Sequence, residues 1–147
     1  GEGVPWQVDL PQVSESLILR APGVTGIGGG WQVIVGRLRQ DEVPVDHLTE
    51  TDPWTAYLDA KAVGDALLLR PRTPGDRFCP LGLAGRKTLQ DFFVDRKVPR
   101  AERDRTPLVV DSDDRVVWVG GHAISGDFRV TARTRAVVIL QLRGERG

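Results

Sequence analysis

The sequence predicts an α+β fold: a mostly antiparallel sheet with short helices packed on one side, preceded by a small β-rich subdomain. Three observations lead there. Short runs rich in β-branched and aromatic residues recur along the chain, each closed by Gly, Pro or Asp turn material. Helical spacing of apolar residues is confined to brief stretches, chiefly between Thr88 and Arg103. The longest apolar run, Ala136 to Leu140, is far shorter than the roughly 20 residues that cross a bilayer, so a soluble chain with no membrane partner is expected.

The elements follow in order. Ser14 to Arg20 reads as a strand, Pro22-Gly23 as a turn, and Trp31 to Leu38 as a second strand with partial alternation, the two forming an antiparallel pair. Gly26 to Gly30 between them reads as turn or loop. The acidic stretch Gln40 to Asp52, punctuated by Pro44 and followed by Pro53, marks the boundary between a β-rich segment, 1–52, and a second domain, 53–147. Trp54 to Leu58 reads as a strand, Ala60 to Val63 as one helical turn, and Ala66 to Arg70 as a buried strand.

Thr88 and Asp91 have the spacing of a capping box, and Leu89, Phe92 and Phe93 follow at i, i+3 and i+4. That is a short helix with one apolar face. Pro99 drives Val98 towards an extended conformation, which stops the helix near Asp95, or else Arg96 must snorkel from the apolar face. Pro99 then suits the first turn of another helix, on which Arg100 and Arg103 share a side. Leu108 to Val110, the polar turn Asp111 to Asp114, and Val116 to Val119 read as a hairpin, and Val137 to Leu142 as a last strand.

Charge is distributed unevenly. Residues 70–105 hold ten Lys or Arg against five Asp or Glu, a net of +5, whereas residues 1–69 hold four against ten, a net of −6. A formal net charge of zero thus conceals a polarised molecule, the pattern expected of a domain with a polyanionic partner. Arg77 follows the turn Pro74-Gly75-Asp76, and Arg86 and Lys87 precede the helix beginning at Leu89, so these cations can share one phosphate track. Arg100 and Arg103 add planar forks suited to bidentate contact, and Lys97 a flexible point charge. The competing reading pairs these cations with Asp76, Asp91, Asp95, Glu102 and Asp104, leaving an ion-paired surface on a structural or protein-interaction domain.

No catalytic constellation is present in the sequence. His47 and His122 stand alone, and no metal site is expected; Cys79 reads as a small buried hydrophobe and leaves no internal disulfide to form. Gly82 to Thr88 fails as a phosphate loop because Arg86 and Leu81 occupy the positions that need glycine. The lack of methionine, with Gly1-Glu2-Gly3 running directly into domain-like sequence, suggests a fragment of a longer protein.

The string PGDRFCPLGLAGRKTLQDFFVDRKVPRAERDRTPLVV, followed by VVWVGGHAISGDFRVTART, resembles the C-terminal domain of bacterial tRNA(Ile)-lysidine synthetase, and the resemblance covers Asp59 to Leu142. It implies a cytoplasmic accessory domain that grips the acceptor stem of tRNA(Ile). The ATP-pyrophosphatase catalytic domain of the same polypeptide would use ATP and lysine to convert the wobble cytidine to lysidine. The SGG-x-DS loop of that catalytic domain is absent from this sequence, so the chain alone is expected to need no cofactor and to be inactive; a homodimer would form through the full-length enzyme. By the same resemblance Arg77, Lys87, Lys97, Arg100, Arg103 and Arg129 would face RNA, while Phe78, Leu89, Phe92 and Phe93 would form the supporting core.

Overall fold

A computed structural model describes residues 15–43, 52–83 and 85–144. The assignment of His47, and most of the acidic boundary stretch, lies outside the described residues.

The described residues build two antiparallel sheets and a small third. Strand β1 (Leu17–Ile18) is followed by the hairpin β2 (Gly23–Gly28) and β3 (Trp31–Arg39), then by β4 (Thr55–Asp59), helix α1 (Ala60–Val63) and β5 (Leu67–Arg70). Next come β6 (Arg77–Phe78), β7 (Lys87–Thr88), α2 (Leu89–Asp95), α3 (Arg100–Arg103), β8 (Leu108–Asp111), β9 (Val116–Val119), β10 (Ala123–Ile124) and β11 (Ala136–Gly144). One sheet has the order β1-β5-β8-β9-β10 and the other β2-β3-β11-β4, while β6 and β7 pair as a separate ribbon.

The α+β class and the antiparallel sheets agree with the sequence, but the first pairing differs. Strand β1 pairs with β5, Leu17 opposite Leu69, and β3 pairs with β2, which occupies the stretch expected to be loop. Glycine at positions 23, 26 and 28 hides that strand from an alternation count. Glycine is also needed at the turn, where Gly29 and Gly30 have φ of 61° and 80°. Strands on both sides of residue 52 share sheets, β1 with β5 and β2–β3 with β11 and β4, so no break in pairing falls at that boundary.

Two apolar clusters hold these layers. The larger is centred on Val33, Leu58, Leu69, Val109, Trp118, Phe128 and Leu140 and joins the two main sheets. The second collects Phe78, Leu89, Phe92, Phe93 and Val98 against Leu108, Val110, Val116 and Val119. Helix α2 and the β6–β7 ribbon are therefore fastened to the five-stranded sheet by aromatic rings: Phe92 lies edge-on to Phe78 at 5.0 Å between centroids.

The ends of α2 are set by local chemistry. The Thr88 hydroxyl accepts the Asp91 amide at 3.1 Å, the N-cap that the sequence predicts. At the other end Val98 N–H donates to Phe93 C=O and Lys97 N–H to Val94 C=O, both at 3.0 Å, which closes a Schellman motif. Lys97 takes the left-handed conformation there, with φ of 57°, where glycine is usual. The helix thus stops as expected, and Arg96 covers the Phe92 ring at 5.2 Å rather than entering the core. Cys79, expected to be buried, is instead half-buried.

Candidate nucleic-acid interface

The basic window is not uniformly available to a ligand. Arg70, at the end of β5, is buried, and its guanidinium is clamped: Nη2 donates to Asp76 Oδ1 at 2.8 Å, Nη1 to Asp76 Oδ2 at 3.1 Å and to Pro71 C=O at 2.9 Å, and Nε to Asp114 Oδ1 at 2.9 Å. Its pKa is raised, first by the Asp76 hydrogen bond, against the opposing cost of burial. Burial pushes Asp76 up, but the hydrogen bonds from Arg70 and Thr73 outweigh it and hold the carboxyl below its usual range. This clamp ties β5, the turn ahead of Arg77 and the β8–β9 turn into one frame.

Further cations are satisfied internally. Arg72 pairs with Asp104 at 2.9 Å, and Lys87 pairs with Asp95. Arg103 donates Nε to Val98 C=O at 2.9 Å and is half-buried, so it fastens α3 to the end of α2. Arg129 is exposed but donates to Gly126 C=O at 2.7 Å. These four hold the scaffold through at least one bond each.

Arg77, Arg86, Lys97 and Arg100 differ from them. All four are exposed, and none has an ion-pair partner among the described residues. Of the five acids in the window, Asp76, Asp95 and Asp104 are committed to Arg70, Lys87 and Arg72, which leaves Asp91 and Glu102. Arg77 opens β6 and Arg86 immediately precedes β7, so the ribbon presents both beside one cleft of about 310 Å³, which Asp76, Asp114 and Asp127 also line. Arg115 lines the same cleft; Asp111 anchors it at 2.7 Å and its guanidinium lies 5.1 Å from the Phe128 centroid. It falls outside the basic window in sequence, and only the fold brings it near. A larger cleft, of about 530 Å³, is lined by Asp76, Asp91 and Asp104 with a single cation, Arg72, which is already paired, a poorer environment for phosphate.

His122 packs edge-on against Phe92 and Phe93, at 6.2 and 5.8 Å between centroids. Burial first, and the charge of Arg96 second, push its pKa down to about 4. It is a neutral packing residue at neutral pH, in keeping with its solitary place in the sequence.

The profile of the TilS substrate C-terminal domain matches residues 67–140, about half of the chain. The chain belongs to that family. A tRNA(Ile)-lysidine synthase of Caldanaerobacter subterraneus subsp. tengcongensis is 33% identical over 130 residues, which is 87% of this chain and 27% of the relative. The tRNA(Ile)-lysidine synthase of Geobacter sulfurreducens is 34% identical over 138 residues, 94% of this chain and 28% of the relative. This TilS-family chain thus spans little more than a quarter of the length of those relatives. Among solved structures, the crystal structure of a TILS C-terminal domain superposes with a TM-score of 0.74 at 27% identity, covering 90% of this chain and all of that one. An N-terminal fragment of the phenylalanyl-tRNA synthetase β-subunit from Pyrococcus horikoshii has a TM-score of 0.57 at 18% identity over 82% of this chain and 40% of that one, a likeness of fold alone.

Proposed function

We propose that this TilS-family domain is the RNA-gripping accessory part of a tRNA(Ile)-lysidine synthetase and holds the acceptor stem of tRNA(Ile). In this reading a catalytic domain elsewhere in the same cytoplasmic polypeptide uses ATP and lysine. The isolated domain has no turnover of its own. The observation that carries the proposal is the set of four exposed, uncompensated cations, Arg77, Arg86, Lys97 and Arg100, on a frame in which Asp76, Asp95 and Asp104 are already occupied. An A-form stem buries its base edges in a deep, narrow groove, so such a domain reads phosphates and shape rather than sequence. Lys87, Arg103 and Arg129 contribute less directly, because each already serves a bond within the protein.

The test is binding to tRNA(Ile) with a CAU anticodon, to elongator tRNA(Met) and to an acceptor-stem minihelix, each across a salt series. Engagement of about four to six phosphates gives a slope of log K against log salt of roughly −3 to −5. Minihelix binding as tight as that of whole tRNA(Ile) supports acceptor-stem capture. Absence of binding to all three at low salt refutes it and favours a structural domain in which Arg70–Asp76, Arg72–Asp104 and Lys87–Asp95 are what the charged window is for.

A further inference from the structure

The loop joining β6 to β7 carries two leucines that no packing requirement explains. Leu81 and Leu83 are 51% and 55% exposed, whereas the apolar residues on either side of the loop, Phe78 and Leu89, are both 3% exposed. Leaving such side chains in water forgoes the hydrophobic stabilisation that burial would give them. Residues 79–83 of the loop are nonetheless held in place. Leu81 N–H donates to Ile124 C=O at 3.2 Å, Leu83 N–H to Pro80 C=O at 3.0 Å, and Gly126 N–H to Cys79 C=O at 2.6 Å, while Pro80 bridges to Ser125. The base of this apolar tip is flanked by Arg77 on β6 and Arg86 ahead of β7, two of the uncompensated cations.

An anchored apolar tip between two free guanidinium groups is complementary to a surface that is flat and apolar at its centre and anionic at its rim. The end of a stacked RNA helix is such a surface, with the face of the last base pair in the middle and phosphates around it. Apolar side chains make this kind of contact with unstacked base faces wherever proteins insert wedges into nucleic acid. Resting on the RNA-binding reading above, we propose that Leu81 and Leu83 form an end-stop against the terminal base layer of an RNA helix, with Arg77 and Arg86 taking the phosphates at its rim. The cations then supply affinity along the stem. The leucines supply position, by favouring a helix that ends over one that continues.

The experiment compares this chain's affinity for an RNA duplex with one open end and for a duplex of equal length and charge whose two ends are both closed by stable loops. Wild type is expected to prefer the open-ended duplex by about tenfold. Leu81→Ser with Leu83→Ser should abolish the preference while leaving the salt slope unchanged, and because both side chains are exposed the variant should melt with wild type. Arg86→Gln should instead weaken binding to both RNAs together and reduce the slope by about 1. Equal wild-type affinity for open and closed duplexes overturns the end-stop while leaving RNA binding intact. Failure to bind either RNA overturns the underlying function. A leucine variant that keeps the end preference yet fails in the full-length enzyme would assign the tip to a protein contact and overturn the proposal.

Discussion

Replacing Arg70 by methionine should destabilise the domain far more than replacing any other arginine of the basic window. Arg70 is 8% exposed, and the side chain of its principal partner, Asp76, is 9% exposed. Methionine retains much of the packing volume but leaves Asp76 a buried carboxylate holding only its bonds from Thr73. Breaking a buried pair by removing one partner costs about 3–5 kcal/mol, most of it from the charge left behind. The branch to Asp114 adds less than about 1 kcal/mol, because Asp114 is 72% exposed. At roughly 2–4 °C per kcal/mol for a chain of this size, the melting temperature should fall by about 6–20 °C. Urea titration followed by tryptophan fluorescence measures the free-energy change, and Arg70→Met combined with Asp76→Asn should recover part of it. Protonation gives an independent check. Asp76 is held below its ordinary value near 4, so its contribution is fully present above that value and is lost as pH falls through the lower folded value. The gap between wild type and Arg70→Met should therefore narrow as pH falls, because protonation neutralises the carboxylate that methionine leaves unpaired. A single variant within 1 kcal/mol of wild type at pH 7, by the same standard, would refute the view of Arg70 as the clamp.

Lys97→Gly should raise stability by about 1 kcal/mol, because glycine adopts the left-handed conformation without the Cβ penalty, and should reduce the salt slope for RNA by about 1 if Lys97 meets a phosphate; unfolding and binding titrations on one preparation test both. Phe92→Ala should cost about 3–5 kcal/mol by emptying the centre of the Phe78–Phe93–His122 cluster, and a wild-type melting temperature would contradict that placement. His122, with its pKa pushed down to about 4, binds fewer protons folded than unfolded between that value and 6.5, so its contribution is present above pH 6.5 and lost as pH falls to 4. His122→Gln should flatten that part of the stability profile, which amounts to about 3 kcal/mol at most.

Much of the local structure was legible because its causes are local. Thr88, Pro99 and the polar run Asp111–Asp114 fix a helix start, a helix stop and a hairpin from neighbouring residues alone. The partner of β1 was not legible, since β5 lies some fifty residues further on and only packing selects it. Strand β2 was obscured by its glycines, which remove the side chains that alternation counts. For the candidate interface, the concentration of cations could be counted in the sequence, but not which of them were free. That depended on contacts such as Arg70 with Asp114, 44 residues apart, and Arg72 with Asp104, 32 apart. Lys97 posed a subtler problem, for nothing in its neighbours announces a lysine in a conformation that glycine normally fills.

Strand β11 lies between β3 and β4, pairing with β3 over nine residues and with β4 over five. β3 and β4 have no direct pairing with each other, so neither can complete its sheet until residues 136–144 exist. In a growing chain, the β2–β3 hairpin and β4 must therefore wait while roughly a hundred residues follow β3 out of the ribosome. During that interval Val33, Val35, Ala56 and Leu58 lack the strand that will cover them, and the β3 and β4 edges can pair with other chains. Production of intact protein should accordingly depend on the speed with which synthesis passes from β4 to β11, and slowing translation across that interval should lower the soluble yield without altering the finished fold.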